Sequence, residues 1–80
     1  MIRRTLIDDA RTRLARYLLE HADALGQTTQ KQIASQIGLA PETVSRILRR
    51  FKESGWVEIR ARKIMLSDRE GLGRVLDETA

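Results

Sequence analysis

Glu42, Ser45, Arg46 and Arg49 are the residues of this chain whose types and spacing best suit a chemical task. Steps of three and four place side chains on one face of a helix. Such a face could read the edges of stacked bases. An arginine fork donates two hydrogen bonds to guanine O6 and N7. A glutamate accepts from a cytosine amino group and holds the guanidinium in place. Glu42 and Arg46 stand four apart, so the plainer alternative is a surface ion pair worth a few tenths of a kcal/mol.

Groups suited to phosphate surround this face. Thr29, Gln30 and Lys31 open a helical pattern, where free backbone amides favour an anion. Thr43 lies one step beside the reading face. Arg62 and Lys63 fall at the tip of a hairpin pattern. Contacts of this kind position a protein without reading sequence. Each alone reads equally well as a solvated charge. Arg49 and Arg50 could also lie with half-buried stems.

Other chemistries find little support. There is no cysteine, hence no disulfide framework and no thiolate metal site. The single histidine, His21, cannot build a metal site by itself and reads as a helix-surface residue. There is no serine near a histidine motif and no glycine-rich phosphate loop. The pairs Asp8-Asp9 and Asp77-Glu78 sit at helix ends. No catalytic residue, no metal site and no enzymatic activity are therefore expected. No apolar run approaches the roughly 18 residues of a membrane span. MIRRTL lacks the apolar segment of a signal peptide.

The charge balance points to a polyanion. Fifteen Lys and Arg stand against 11 Asp and Glu, for a formal charge of +4. Twelve of the fifteen are Arg, the residue suited to bidentate contacts with phosphate and guanine. The same charge could serve only solubility. Eighty residues make one small domain with a modest core.

The elements that must position these residues can be read along the chain. Residues 8–24 show helical spacing through Ala10, Leu14, Tyr17 and Leu18, with Asp8 or Asp9 as cap. Gly26 punctuates its end. Thr28 or Thr29 caps a second helix with Ile33, Ala34 and Ile37 inward. Gly38 ends it in a left-handed conformation. Leu39 can plug the core, and the small Ala34 lets two helices cross closely. Pro41 sits at the first position of a third helix, Pro41 to Glu53. Val44, Ile47, Leu48 and Phe51 form its apolar stripe, and Gly55 stops it. Beyond Trp56 the period changes to two. Val57 and Ile59, then Ile64 and Leu66, predict two strands around Ala61-Arg62. That turn lacks Gly, Asn or Asp, so its type is open. Ser67 can cap a last helix from Asp68 to about Glu78, weakened by Gly71 and Gly73. The expected fold is mainly α with a small β-hairpin wing, a winged helix-turn-helix.

The stretch KQIASQIGLAPETVSRILRRFKESGWV resembles the C-terminal DNA-binding domain of the Crp/Fnr superfamily of bacterial transcription regulators. The resemblance covers roughly residues 8 to 76. Glu42, Ser45 and Arg46 match the recognition-helix residues of the fumarate and nitrate reduction regulator branch. The cyclic-AMP receptor branch carries Gly where this chain has Ser45. The resemblance implies half-sites like TTGAT, paired as TTGAT-N4-ATCAA, with Glu42 and Arg46 on the G·C pair and Ser45 near the preceding T. It implies phosphate contacts from Gln30, Lys31, Thr43 and Arg62. It implies double-stranded DNA as partner, RNA polymerase as a further candidate, a homodimer in the full-length regulator, and a bacterial cytoplasmic location with no membrane partner. Family members carry an N-terminal sensor domain and a long dimer helix. Met1 to Ile7 is accordingly expected to be a remnant of that helix or a disordered start. By the same resemblance residues 8–80 are expected to be the DNA-binding domain, monomeric as a fragment and holding no cofactor, since a sensor ligand would bind the missing half. The link from the first helix to Thr28 is short. Relatives with a longer hairpin there can touch RNA polymerase through it. A rival function is a protein-interaction module, because the same fold can dock a protein with the same helix.

Overall fold

The computed structural model describes the backbone of residues 2–61 and 63–79, and the side chains of residues 10–61 and 63–77. Four helices and a hairpin follow one another: α1 Ile2–Glu20, a 3₁₀ turn Ala22–Gln27, α2 Gln30–Ile37, α3 Pro41–Glu53, β1 Val57–Arg60, β2 Lys63–Leu66 and α4 Arg69–Thr79. The fold is mainly helical with a two-stranded antiparallel wing, as expected.

The core is built from every element. Leu14 and Leu18 of α1 meet Leu25 of the 3₁₀ turn, Ile33 and Ala34 of α2, and Val44, Leu48 and Phe51 of α3. Val57 and Ile64 close it from the wing, and Leu72 and Val75 from α4. Leu39 packs against this cluster from the turn between α2 and α3. Helices α1 and α4 pack together, and β2 lies on the 3₁₀ turn. No described polar or charged residue is buried, as expected when desolvation without a partner is costly.

Two boundaries of the first helix differ from the sequence expectation of 8–24. Residues 2–7 lie in the same helix as residues 8–20. Asp8 and Asp9 therefore fall inside α1 and do not cap it. The segment before them holds no Gly or Pro to break the helix. At the other end α1 stops at Glu20. The tighter 3₁₀ turn then swings Leu25 into the core, where it is 1% exposed. Bonds of the i to i+3 type satisfy carbonyls left open by the helix end: Ala24 N–H donates to His21 O at 2.9 Å. His21 is half-buried rather than a helix-surface residue. Its ring lies 4.2 Å from that of Tyr17.

The wing obeys the alternation in its sequence. Val57 pairs with Leu66 and Ile59 with Ile64, so one face is apolar, while Glu58 opposes Met65 on the other. The turn problem is solved with strain: Ala61 takes φ 49°, the left-handed region disfavoured for residues with a Cβ.

The last helix begins one residue later than expected, and its cap is Asp68, not Ser67. Asp68 Oδ1 accepts from the N–H of Glu70 at 3.1 Å and of Gly71 at 3.3 Å. Gly71 has a packing role. A Cβ there would run into Nε1, Cδ1 and Cε2 of the Trp56 indole.

Candidate nucleic-acid interface

The candidate face depends on how α2 and α3 are fixed at their ends. Thr29 begins α2 with a capping box. Its Oγ1 accepts from Gln32 N–H at 3.1 Å, and Gln32 Oε1 accepts from Thr29 N–H at 2.9 Å. The amides of Gln30 and Lys31 are left as the donors that an anion could meet at this end. Gly38, at φ 72°, closes the helix, and Leu39 N–H donates to Ala34 O at 2.9 Å. Helix α1 braces this region from behind. Arg13 donates to Ile37 O at 3.2 Å, and Tyr17 O–H donates to Gln36 Oε1 at 2.7 Å.

Helix α3 starts at Pro41 as expected, with Val44 N–H donating to Ala40 O at 3.1 Å. Its end is a Schellman motif around Gly55, which takes φ 81°. Gly55 N–H donates to Lys52 O at 3.0 Å and Trp56 N–H to Phe51 O at 2.9 Å. The rings of Phe51 and Trp56 pack 5.6 Å apart, the apolar contact that accompanies this motif. The Trp56 carbonyl then accepts from Ser67 at 2.8 Å and Asp68 at 3.0 Å. One residue thus ties the end of α3 to the base of the wing and the start of α4.

With Val44, Ile47, Leu48 and Phe51 buried, the rotation of α3 is fixed. Glu42, Ser45, Arg46, Arg49 and Arg50 are exposed. The surface ion pair that the spacing allowed is not made. Among the described residues, the side chains of Glu42, Ser45, Arg46, Arg49 and Lys52 have no ion-pair or hydrogen-bond partner. Their polar groups are turned to solvent and available to a ligand.

These residues do not all meet in one place. Ser45, Arg46 and Arg49 line a shallow cleft of about 370 Å³ with Gln30 of α2, Lys52 of α3 and Ile59 of β1. Glu42 and the half-buried Thr43 stand outside it on α3, as do Thr29 and Lys31 at the start of α2. Lys63 is exposed and lines a different groove, with Arg60, Met65 and Arg69. Arg50 lines a third, with Arg11 and Trp56, away from Arg46. Arg62 lies outside the described residues. Lys52 and Ile59 did not emerge from the sequence as site residues. The signal was present: Lys52 follows Ser45 and Arg49 at steps of four and three.

The architecture and its exposed helix have counterparts among known proteins. The family described as the Crp-like helix-turn-helix domain matches residues 12–75. The chain belongs to this family. It is thus a DNA-binding module of the kind used in transcription regulation. The chain is 30% identical to the CRP-like cAMP-activated global transcriptional regulator of Mycobacterium tuberculosis over 86% of its own length. It spans only 36% of that relative. Among solved structures, the Thermus thermophilus catabolite activator protein superposes with a TM-score of 0.78 at 28% identity. That match covers 92% of this chain and 37% of the other. The CO-dependent transcription factor CooA from Carboxydothermus hydrogenoformans superposes with a TM-score of 0.75, also at 28% identity, over 90% of this chain and 41% of the other.

The geometry fits this family. The α2–α3 pair is the helix-turn-helix, and the hairpin is its wing. No helix among the described residues is long and apolar enough to cross a membrane.

Proposed function

We propose that this domain binds duplex DNA sequence-specifically, with α3 in the major groove of a TTGAT-like half-site. In this reading Arg46 donates to guanine O6 and N7, Glu42 accepts from the paired cytosine's amino group, and Ser45 stands near the preceding thymine. Thr29, Gln30, Lys31, Thr43, Arg49, Arg62 and Lys63 hold phosphates. Thr29 does so through its hydroxyl proton alone, since its N–H is committed to Gln32. The observation that carries the reading is the unpartnered polar face of α3, set opposite a fully buried apolar one. Ser45, in place of Gly, favours the fumarate and nitrate reduction regulator branch.

The wider role is that of a reading head. A full-length regulator would pair two such domains and set their recognition helices about one helical turn, roughly 34 Å, apart. Alone the domain would bind one half-site as a monomer. We assign no cofactor and no enzymatic activity to these residues. One similar regulator is described as cAMP-activated and another as CO-dependent, so a domain of this type serves different signals. RNA polymerase is a further candidate partner, and the bacterial cytoplasm the place of action.

The test is a titration of the TTGAT-N4-ATCAA duplex against a scrambled duplex at fixed salt. Tighter binding to the palindrome is expected. Equal affinities would refute sequence reading. Arg46→Ala should cost about 1–3 kcal/mol and relax preference at the G·C pair. Uniform weakening on all duplexes would instead make Arg46 a phosphate contact. Binding that ignores salt would favour the protein-interaction reading, since phosphate contacts weaken steeply as salt rises.

A further inference from the structure

The cleft beside the reading face holds one cation that the proposed contacts leave without a task. Lys52 lines it together with Gln30, Ser45, Arg46, Arg49 and Ile59, and is exposed. Among the described residues no acidic side chain lines this cleft, and Lys52 has no ion-pair partner. On the helix, Ser45, Arg49 and Lys52 form a single stripe along the flank that faces Gln30 and Ile59.

Dimensions decide where that stripe ends. Thirteen residues make α3 about 20 Å long, whereas the major groove is about 12 Å wide. A helix that enters with its N-terminal half therefore leaves its C-terminal half at the groove's rim, beside the backbone. Lys52 stands six residues beyond Arg46, about 9 Å further along the axis. A compact ammonium on a long stem suits a single phosphate oxygen, not a base edge. Ile59 gives the cleft an apolar wall that a deoxyribose can lie against.

We infer that Lys52 is a DNA-backbone contact, and that the cleft between α3, Gln30 and Ile59 is a phosphate-gripping groove flanking the half-site. This rests on the reading of α3 as the groove-binding helix. Lys52 adds affinity without adding sequence preference. Its removal should lower the slope of log K against log salt by about 0.9, the value of one neutralised phosphate.

The experiment compares Lys52→Gln with the unaltered domain on the TTGAT palindrome and the scrambled duplex, at salt concentrations from 50 to 200 mM. Across that fourfold range the variant should lose about 3.5-fold less affinity than the parent on both duplexes. The ratio of the two affinities should stay the same. Lys52 is exposed, so an unchanged melting curve is expected and verifies the fold. An unchanged salt slope overturns the inference. So does a changed affinity ratio, which would make Lys52 a base reader. If the parent itself fails to discriminate the duplexes, the base-reading proposal falls, yet the slope difference still tests Lys52.

Discussion

Replacing Gly71 by alanine should destabilise the domain, although alanine is the better helix former. In an open helical position the exchange gains up to about 1 kcal/mol. Gly71 is not open. The new methyl would occupy space now filled by the Trp56 indole. That ring cannot easily retreat. The backbone of Trp56 donates to Phe51 and accepts from Ser67 and Asp68, and the indole packs on Phe51. A rigid aromatic pinned in this way puts the overpacking cost near the top of the usual range, about 3 kcal/mol. After the propensity gain the net loss is about 2 kcal/mol. For a domain of this size that lowers Tm by roughly 10 °C.

Gly73 supplies the internal control. It sits two residues on in the same helix, and a Cβ there meets nothing within 4 Å. Gly73→Ala should raise stability by up to about 1 kcal/mol. Thermal and urea unfolding followed by circular dichroism would measure both. Equal or higher stability of Gly71→Ala would refute the argument, as would the same loss in both variants. The two-variant contrast removes the helix-propensity contribution and isolates the contact with Trp56.

Two further outcomes concern the tip of the wing and the start of α2. Ala61→Gly should stabilise the wing by about 0.5 kcal/mol: it removes a left-handed penalty of about 1–2 kcal/mol and adds up to about 1 kcal/mol of unfolded-chain entropy. A loss of urea midpoint would contradict it. Thr29→Ala should cost about 1 kcal/mol by breaking the cap on α2, while Thr29→Ser keeps stability within a few tenths. Equal stability of the Ala and Ser variants would argue that the capping box contributes nothing.

The helix-turn-helix was legible because local chemistry marks its boundaries. Thr29, Gly38, Pro41 and Gly55 each act within a turn of where they stand, and α3 spans the residues its sequence implied. The first helix carries a misleading mark at its start: Asp8 and Asp9 look like caps, yet both lie inside α1. Its end is set by where Leu25 must go, which no neighbouring residue declares. The cap of α4 is a non-local choice. Ser67 and Asp68 are both able caps, and the Trp56 carbonyl draws both their N–H groups before Asp68 closes the first turn. Gly71 looked like a weakness in a helix because its partner lies 15 residues back. In the site, the face of α3 followed from period alone. Which cations share a cleft did not, because it depends on where α2 and β1 come to rest. Lys52 fell between these cases, on a stripe that the spacing shows and the cleft makes meaningful.

Trp56 is the chain's single tryptophan. Its ring sits against Phe51 of α3 and over Gly71 of α4. It lines the groove with Arg11 and Arg50, and does not line the cleft of Arg46. The molecule therefore carries an optical gauge at the joint between α3, its wing and its last helix. Nucleic acid seated on the proposed face would not touch the indole. A change in its emission on binding would report that this joint had moved, separating a rigid reader from one that shifts as it docks.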